Sequence, residues 1–225
     1  MKYIIANFKS HKTKSEIESW LDSYSLTPPP DTQIILALPY PYLHLIKPGT
    51  STKLDVAAQD VSPFPAGSYT GAVNATQLAD LGVKYCLVGH SERRRYFHET
   101  SVEVSNKVEE LLSVGITPIV CVSEDDLSSQ FAALAESTIS RCLFAYETLA
   151  DIGGTDTTPV DEIERVITLL KGYTKSSSLG LLYGGSVNEN NVDTLCGVVD
   201  GLIVATASLD PNSFEKVIQG FASHV

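Results

Sequence analysis

The chain has 225 residues, 43% hydrophobic and 19% charged, with a formal net charge of −11. That length suits one large α/β domain, since barrels of this class run to about 200–250 residues, and no apolar run approaches the roughly 18 residues of a membrane span. The acidic balance argues against nucleic acid, which would call for a basic stripe.

The N-terminal run Met1-Lys2-Tyr3-Ile4-Ile5-Ala6-Asn7 enters a strand directly, without the charged, apolar and cleavable regions of a secretion signal. A cytoplasmic protein is expected. Short apolar runs predict eight strands: Tyr3–Ala6, Gln33–Ala37, Leu54–Ala58, Lys84–Val88, Thr117–Val122, Cys142–Tyr146, Leu179–Tyr183 and Gly201–Val204. Near-continuous apolar strands are those of a parallel sheet covered on both faces.

Helical patterns separate these strands. Ser15-Glu16-Ile17-Glu18 and Thr100-Ser101-Val102-Glu103 fit the capping box, and Thr158-Pro159 fits a cap followed by proline at the first helical position. Trp20 fits the core face of the first helix with Ile17 and Leu21. One helix, Asp126 to Ser140, is expected in the short fifth crossover, which needs only about 10–12 residues. Sustained β–α alternation over 1–225, without a composition break or a Gly-rich dinucleotide turn, predicts a single (β/α)8 barrel domain.

Cys86, Cys121, Cys142 and Cys196 are scattered among apolar segments, without the close spacing of a zinc site or redox pair, and read as packed thiols. His11, His44, His98 and His224 have no second ligand at metal spacing and read as surface or packing residues.

Polar residues gather where strands end: Asn7 and Lys9 after the first, His90 to Arg94 after the fourth, Glu147 after the sixth and Gly184-Gly185-Ser186 after the seventh. Sites of parallel barrels are built at that face. Taken singly, Lys9 also fits a solvated charge and Glu147 a helix-proximal carboxylate. Ser91 fits a support for the His90 turn better than a nucleophile, because no base and orienting group accompany it. Helix starts expected after Ser186 and Ser208 fit either anion sites or simple caps.

Through Asn7-Phe8-Lys9, Gly89-His90-Ser91-Glu92-Arg93-Arg94, Tyr146-Glu147 and Tyr183-Gly184-Gly185-Ser186-Val187, in order and spacing, the chain resembles the triosephosphate isomerase family over nearly its whole length. The resemblance implies interconversion of dihydroxyacetone phosphate and glyceraldehyde 3-phosphate in glycolysis and gluconeogenesis, with no metal or organic cofactor. It implies Glu147 as the base, helped by a closed and drier site, and neutral His90 as the group that polarises the carbonyl. Lys9 would stabilise negative charge, with Asn7 and Glu92 orienting it. Gly153, Ser186, Ala205 and Thr206 would hold the phosphate, largely through backbone N–H groups.

The chain also departs from that family. It reads Ala205-Thr206 before Ala207-Ser208-Leu209, where the family has Gly-Gly, so each new Cβ is expected to crowd the phosphate or restrict φ. After the base it reads Thr148-Leu149-Ala150-Asp151-Ile152-Gly153-Gly154-Thr155-Asp156, where the family has Pro-Val-Trp-Ala-Ile-Gly-Thr-Gly-Lys. Retained chemistry with impaired lid closure is expected. Asp60 stands for an asparagine, and Ala72 for a glutamate that pairs with an arginine, here Arg93 or Arg94. The loop Asp60 to Gly71 implies a homodimer with weaker interface support. Two alternatives stay open, a catalytically weakened homologue that binds a small phosphate ligand and an isomerase of another phosphosugar.

Overall fold

The computed structural model describes residues 1–46, 54–148, 158–175 and 178–222. Eight parallel strands close on themselves in sequence order: β1 (Lys2–Asn7), β2 (Thr32–Leu38), β3 (Leu54–Ala58), β4 (Tyr85–Val88), β5 (Thr117–Val122), β6 (Leu143–Tyr146), β7 (Gly180–Tyr183) and β8 (Gly201–Val204). This is the (β/α)8 architecture expected, and every strand lies within one residue of its predicted ends. Among the described residues the helices are, in order, α1 (Lys14–Ser23), α2 (Ala75–Asp80), α3 (Ser91–Phe97), α4 (Ser101–Ser113), α5 (Leu127–Ala133), α6 (Glu136–Ile139), α7 (Val160–Thr174) and α8 (Pro211–Ala222). Short 3-10 segments lie at Tyr40–Leu45, Val192–Leu195 and Thr206–Leu209.

The period of two along each strand sorts the core into two bodies. Ile5, Ile35, Ala37, Ala57, Leu87, Ile119, Cys121, Leu143, Ala145, Leu182 and Ile203 fill the barrel interior. Their neighbours, among them Ile4, Leu36, Val88, Phe144 and Val204, face the helices in a larger cluster. Because successive side chains point to opposite faces, Asn7 follows Ile5, Glu147 follows Ala145 and Ala205 follows Ile203 on the inward parity. The residues at the mouth continue the stacking that fills the barrel.

Three local expectations are corrected. The first capping box begins at Thr13, whose backbone and hydroxyl both donate to Glu16, and not at Ser15, which lies inside α1. At the seventh helix the cap position is Pro159, with φ −51° and ψ 139°; its extended ψ keeps it out of the helix, so Val160 is the first helical residue and Thr158 precedes the cap. The expected helix Asp126 to Ser140 is two, because Leu134 and Ala135 adopt extended backbone and let Leu134 turn inward, where it is buried. The Thr100–Glu103 box forms as predicted. Trp20 is buried on α1, edge-on to Phe8 and stacked on Tyr24.

The thiols are free; Cys86, Cys121 and Cys142 are buried and Cys196 partly so. Among the described residues no cluster of His, Cys, Asp and Glu could hold a metal ion. No described helix is long and apolar enough to cross a membrane.

Candidate active site

At the C-terminal mouth of the barrel, a cavity of about 630 Å³ is lined by Asn7, Lys9, His90, Ser91, Glu147, Ser186, Ala205 and Thr206, with Glu189 and Asp210 at its far side. Glu92 stands behind Lys9. Gly153 and the lid from 149 to 157, with Asp151 and Asp156, lie outside the described residues.

Lys9 sits just past β1 with φ +46°, a left-handed conformation costing a non-glycine residue roughly 1–2 kcal/mol. Its backbone is clamped: the N–H donates to Asn7 Oδ1 at 3.0 Å, and the carbonyl accepts from Gln59 Nε2 at 2.9 Å. The same Gln59 nitrogen lies 2.9 Å from Ala37 O, so the amide bridges β1, β2 and β3. Lys9 Nζ then reaches Glu92 Oε1 at 2.7 Å, leaving a cation at the cavity wall whose own counterion orients it.

His90 begins α3. Gly89, ahead of it, has φ +70°, and a Cβ there would lie 2.7 Å from Arg94 Nη2. This glycine lets the chain turn off β4 tightly enough to aim the imidazole inward. The backbone N–H of Glu92 donates to His90 Nδ1 at 3.2 Å. A ring nitrogen that accepts carries no proton, so the neutral ring holds its proton on Nε2, toward the cavity. Asn7 Nδ2 lies 3.5 Å from that nitrogen, placing two donors side by side.

Glu147 is 3% exposed. Its Oε2 accepts from the Ser91 N–H at 2.8 Å, while Oε1 has no hydrogen-bond partner among the described residues and lies 3.3 Å from His90 Nε2, out of line for a hydrogen bond. A buried carboxylate oxygen without a donor is costly in a folded protein. Glu147 lines the cavity, so this unsatisfied oxygen is a lone pair available to a base. A Cβ on Gly184 would come within 3.2 Å of Glu147 Cγ, so the glycine keeps β7 from displacing this side chain. Beneath it, burial and then the Glu147 charge push the Cys121 thiol well above its usual range.

The opposite wall is a turn tied to α1. Ser208 is fully buried; its hydroxyl donates to Ala205 O at 2.7 Å and its N–H to the same oxygen at 3.0 Å. Its carbonyl accepts from Trp20 Nε1 at 2.9 Å. Ala205 has φ −95° and ψ −90°, and Thr206 opens the 3-10 turn. Neither has positive φ, so the expected restriction of φ is corrected: this backbone does not need the left-handed region. No α-helix starts after Ser186; the first regular element there is the 3-10 segment Val192–Leu195, a correction that follows from the Asx turn in which Asn190 N–H donates to Asn188 Oδ1 at 2.9 Å.

Triosephosphate isomerase is the family whose model matches residues 2–221. The chain belongs to that family. A triosephosphate isomerase of Synechococcus sp. (strain JA-3-3Ab) is 35% identical over 238 residues, 96% of this chain and 93% of that protein. One of Trichodesmium erythraeum (strain IMS101) is 35% identical over 236 residues, covering 96% and 98%. One of Mesomycoplasma hyopneumoniae (strain 232) is 32% identical, covering 96% and 98%.

Gln59, Glu99 and Lys107 shape the site without having been singled out from sequence, whereas Arg93 and Arg94 were. Gln59 holds the Lys9 backbone, yet a lone glutamine has no chemical signature. Glu99 Oε2 accepts from the Gly89 N–H at 3.1 Å and its other oxygen meets Lys107, fixing the turn before His90 from inside. Arg94 donates from Nε to Gly89 O at 2.8 Å and from Nη2 to Gln130 at 2.7 Å. Both arginines meet carboxylates of the same chain: Arg93 pairs with Asp60 at 2.7 Å and lies 3.5 Å from Glu99, and Arg94 Nε lies 3.6 Å from Asp126.

Proposed function

We propose that this chain interconverts dihydroxyacetone phosphate and D-glyceraldehyde 3-phosphate by proton transfer through an enediolate, as the names of its relatives imply for them. The observation that carries the reading is the Glu147 carboxylate, held by one oxygen and without a hydrogen-bond partner at the other, which lies beside His90 Nε2. The unpartnered oxygen takes a proton from the carbon next to the substrate carbonyl and returns it to the former carbonyl carbon. His90 Nε2–H meets the carbonyl oxygen as negative charge develops there, and the ring passes a proton between the two substrate oxygens.

Lys9 stabilises the charge on phosphate and enediolate, with Glu92 and Asn7 setting its position. Ser91 supports the base through its backbone. The phosphate lies against the N–H groups around Ser186, Ala205 and Thr206. First-turn N–H groups of the 3-10 segment have no partner inside the helix, which suits them to an anion. The reaction needs no redox or group-carrying cofactor, since its bonds change only by proton shifts.

A homodimer accompanies this reading. Phe64, Tyr69, Tyr96 and Phe97 stand 46%, 43%, 62% and 68% exposed, on the Asp60–Gly71 loop and α3. Apolar surface of that kind beside a site marks an interface, and a second copy is the partner proposed for it. The four free thiols suit a reducing, cytoplasmic setting. Turnover of the two triose phosphates by the purified protein tests the activity; its absence would leave the fold without this function.

A further inference from the structure

We infer that Asp210 is a specificity-determining residue of this site, a fixed negative charge that weakens binding of a phosphate dianion. The inference rests on the reading that the phosphate lies against Ser186, Ala205 and Thr206.

The ionisable side chains lining the cavity among the described residues are Lys9, His90, Glu147, Glu189 and Asp210. Only Lys9 is a permanent cation, and it is committed to Glu92 at 2.7 Å. Three carboxylates therefore face one cation whose charge is already matched. A phosphate monoester adds about −1.5 to −2 at neutral pH.

Asp210 differs from the other two carboxylates. Glu147 belongs to the reaction, and Glu189 is carried on an irregular loop. Asp210 is held: its Oδ1 accepts from the Ser213 N–H at 2.8 Å, and its carbonyl accepts from the Phe214 N–H at 3.0 Å. It thus caps α8, four residues after Thr206, and both Asp210 and Ser213 line the cavity. The positive end of a 12-residue helix opens on the anion site, but a carboxylate of the same chain already satisfies it. An incoming phosphate meets a neutralised helix end and a repelling charge.

The size of the effect follows from Coulomb's law. A unit charge about 8 Å from a dianion, at an effective dielectric of about 60 for this exposed rim, changes affinity by about tenfold. At about 0.5 M salt the difference should shrink to roughly twofold, because the Debye length falls to about 4 Å.

The test is calorimetric titration of the folded protein with inorganic phosphate at low and high salt. Asp210→Asn and Asp210→Ser both keep a helix cap and are expected to bind phosphate about tenfold more tightly at low salt, with the gain largely lost at high salt. Asp210→Glu keeps the charge and is expected to bind as the parent does. Thr206→Glu places a charge in the phosphate cradle itself and is expected to abolish binding. If Thr206→Glu abolishes binding while the two neutral variants match the parent, the role of Asp210 is overturned. If Thr206→Glu binds phosphate normally, the phosphate location is wrong and the inference falls with it. Failure of the parent and the neutral variants alike to bind phosphate overturns it as well.

Discussion

The Ser91 N–H donates to Glu147 Oε2 at 2.8 Å, so the residue beside the electrophile holds the base. The link joins the end of β4 to the end of β6 and leaves Oε1 as the oxygen without a hydrogen-bond partner among the described residues. Shortening the side chain by one methylene forces a choice between keeping that bond and reaching the substrate carbon. Glu147→Asp is expected to lower kcat by about 100-fold, the usual cost of a misplacement near 1 Å, with a smaller change in KM. Steady-state kinetics check this; parental turnover would mean that the Ser91 tether does not set the base.

Asp60, Arg93, Glu99 and Lys107 form a closed group of two anions and two cations. Asp60 contacts Arg93 at 2.7 Å and Lys107 at 2.6 Å, and Lys107 also meets Glu99. Burial holds the Lys107 ammonium below the usual lysine range. Removing one charge leaves a buried cation without its match. Asp60→Asn is expected to cost about 2–3 kcal/mol in chemical denaturation; a cost below about 0.5 kcal/mol would show that the group adds little to stability.

That group also shows how far the chain could be read without coordinates. All eight strands were legible, because a strand buried on both faces must be a short, nearly unbroken apolar run bounded by turns. Lys9, His90 and Glu147 were legible as strand-end residues, and the cavity brings them together with Asn7, Ser91, Ser186, Ala205 and Thr206. The role of Asp60 was not. An aspartate for asparagine and an alanine for glutamate read as two separate weakenings, although the Asp60 carboxylate occupies Arg93 within the chain. Pairing between residues distant in sequence leaves no local signal. The cap of α1 was misplaced for a related reason: Thr13 and Ser15 are both of residue types that cap helices, and only the turn geometry selects between them.

The α4 capping box predicts a pH effect whose sign is fixed. Glu103 accepts from both the N–H and the hydroxyl of Thr100 at 2.8 Å, and those bonds hold its carboxyl below the ordinary value of 4.5. The unfolded chain takes up this proton first, so the contribution is complete above the ordinary carboxylate range and disappears as pH falls through the lowered folded value. Glu103→Gln, which loses the charge, is expected to be less stable than the parent at pH 7 and equal to it near pH 2. Urea denaturation at both values decides; an undiminished gap in acid would contradict the assignment.

The exposed aromatics at the rim predict association. Sedimentation at micromolar concentration is expected to give twice the 24.3 kDa chain mass, and Phe97→Glu with Tyr96→Glu to give the monomer. A parent that sediments as a monomer would remove the dimer.

The most direct measurement is isomerase turnover in both directions by the purified protein and by Glu147→Gln, with circular dichroism to show that the variant is folded. A general base of this kind contributes about 10²–10⁴ in rate. The account predicts that the parent interconverts the two triose phosphates and that Glu147→Gln loses at least about 100-fold in kcat while keeping its fold. A folded parent without turnover, or a Glu147→Gln variant as fast as the parent, would contradict it.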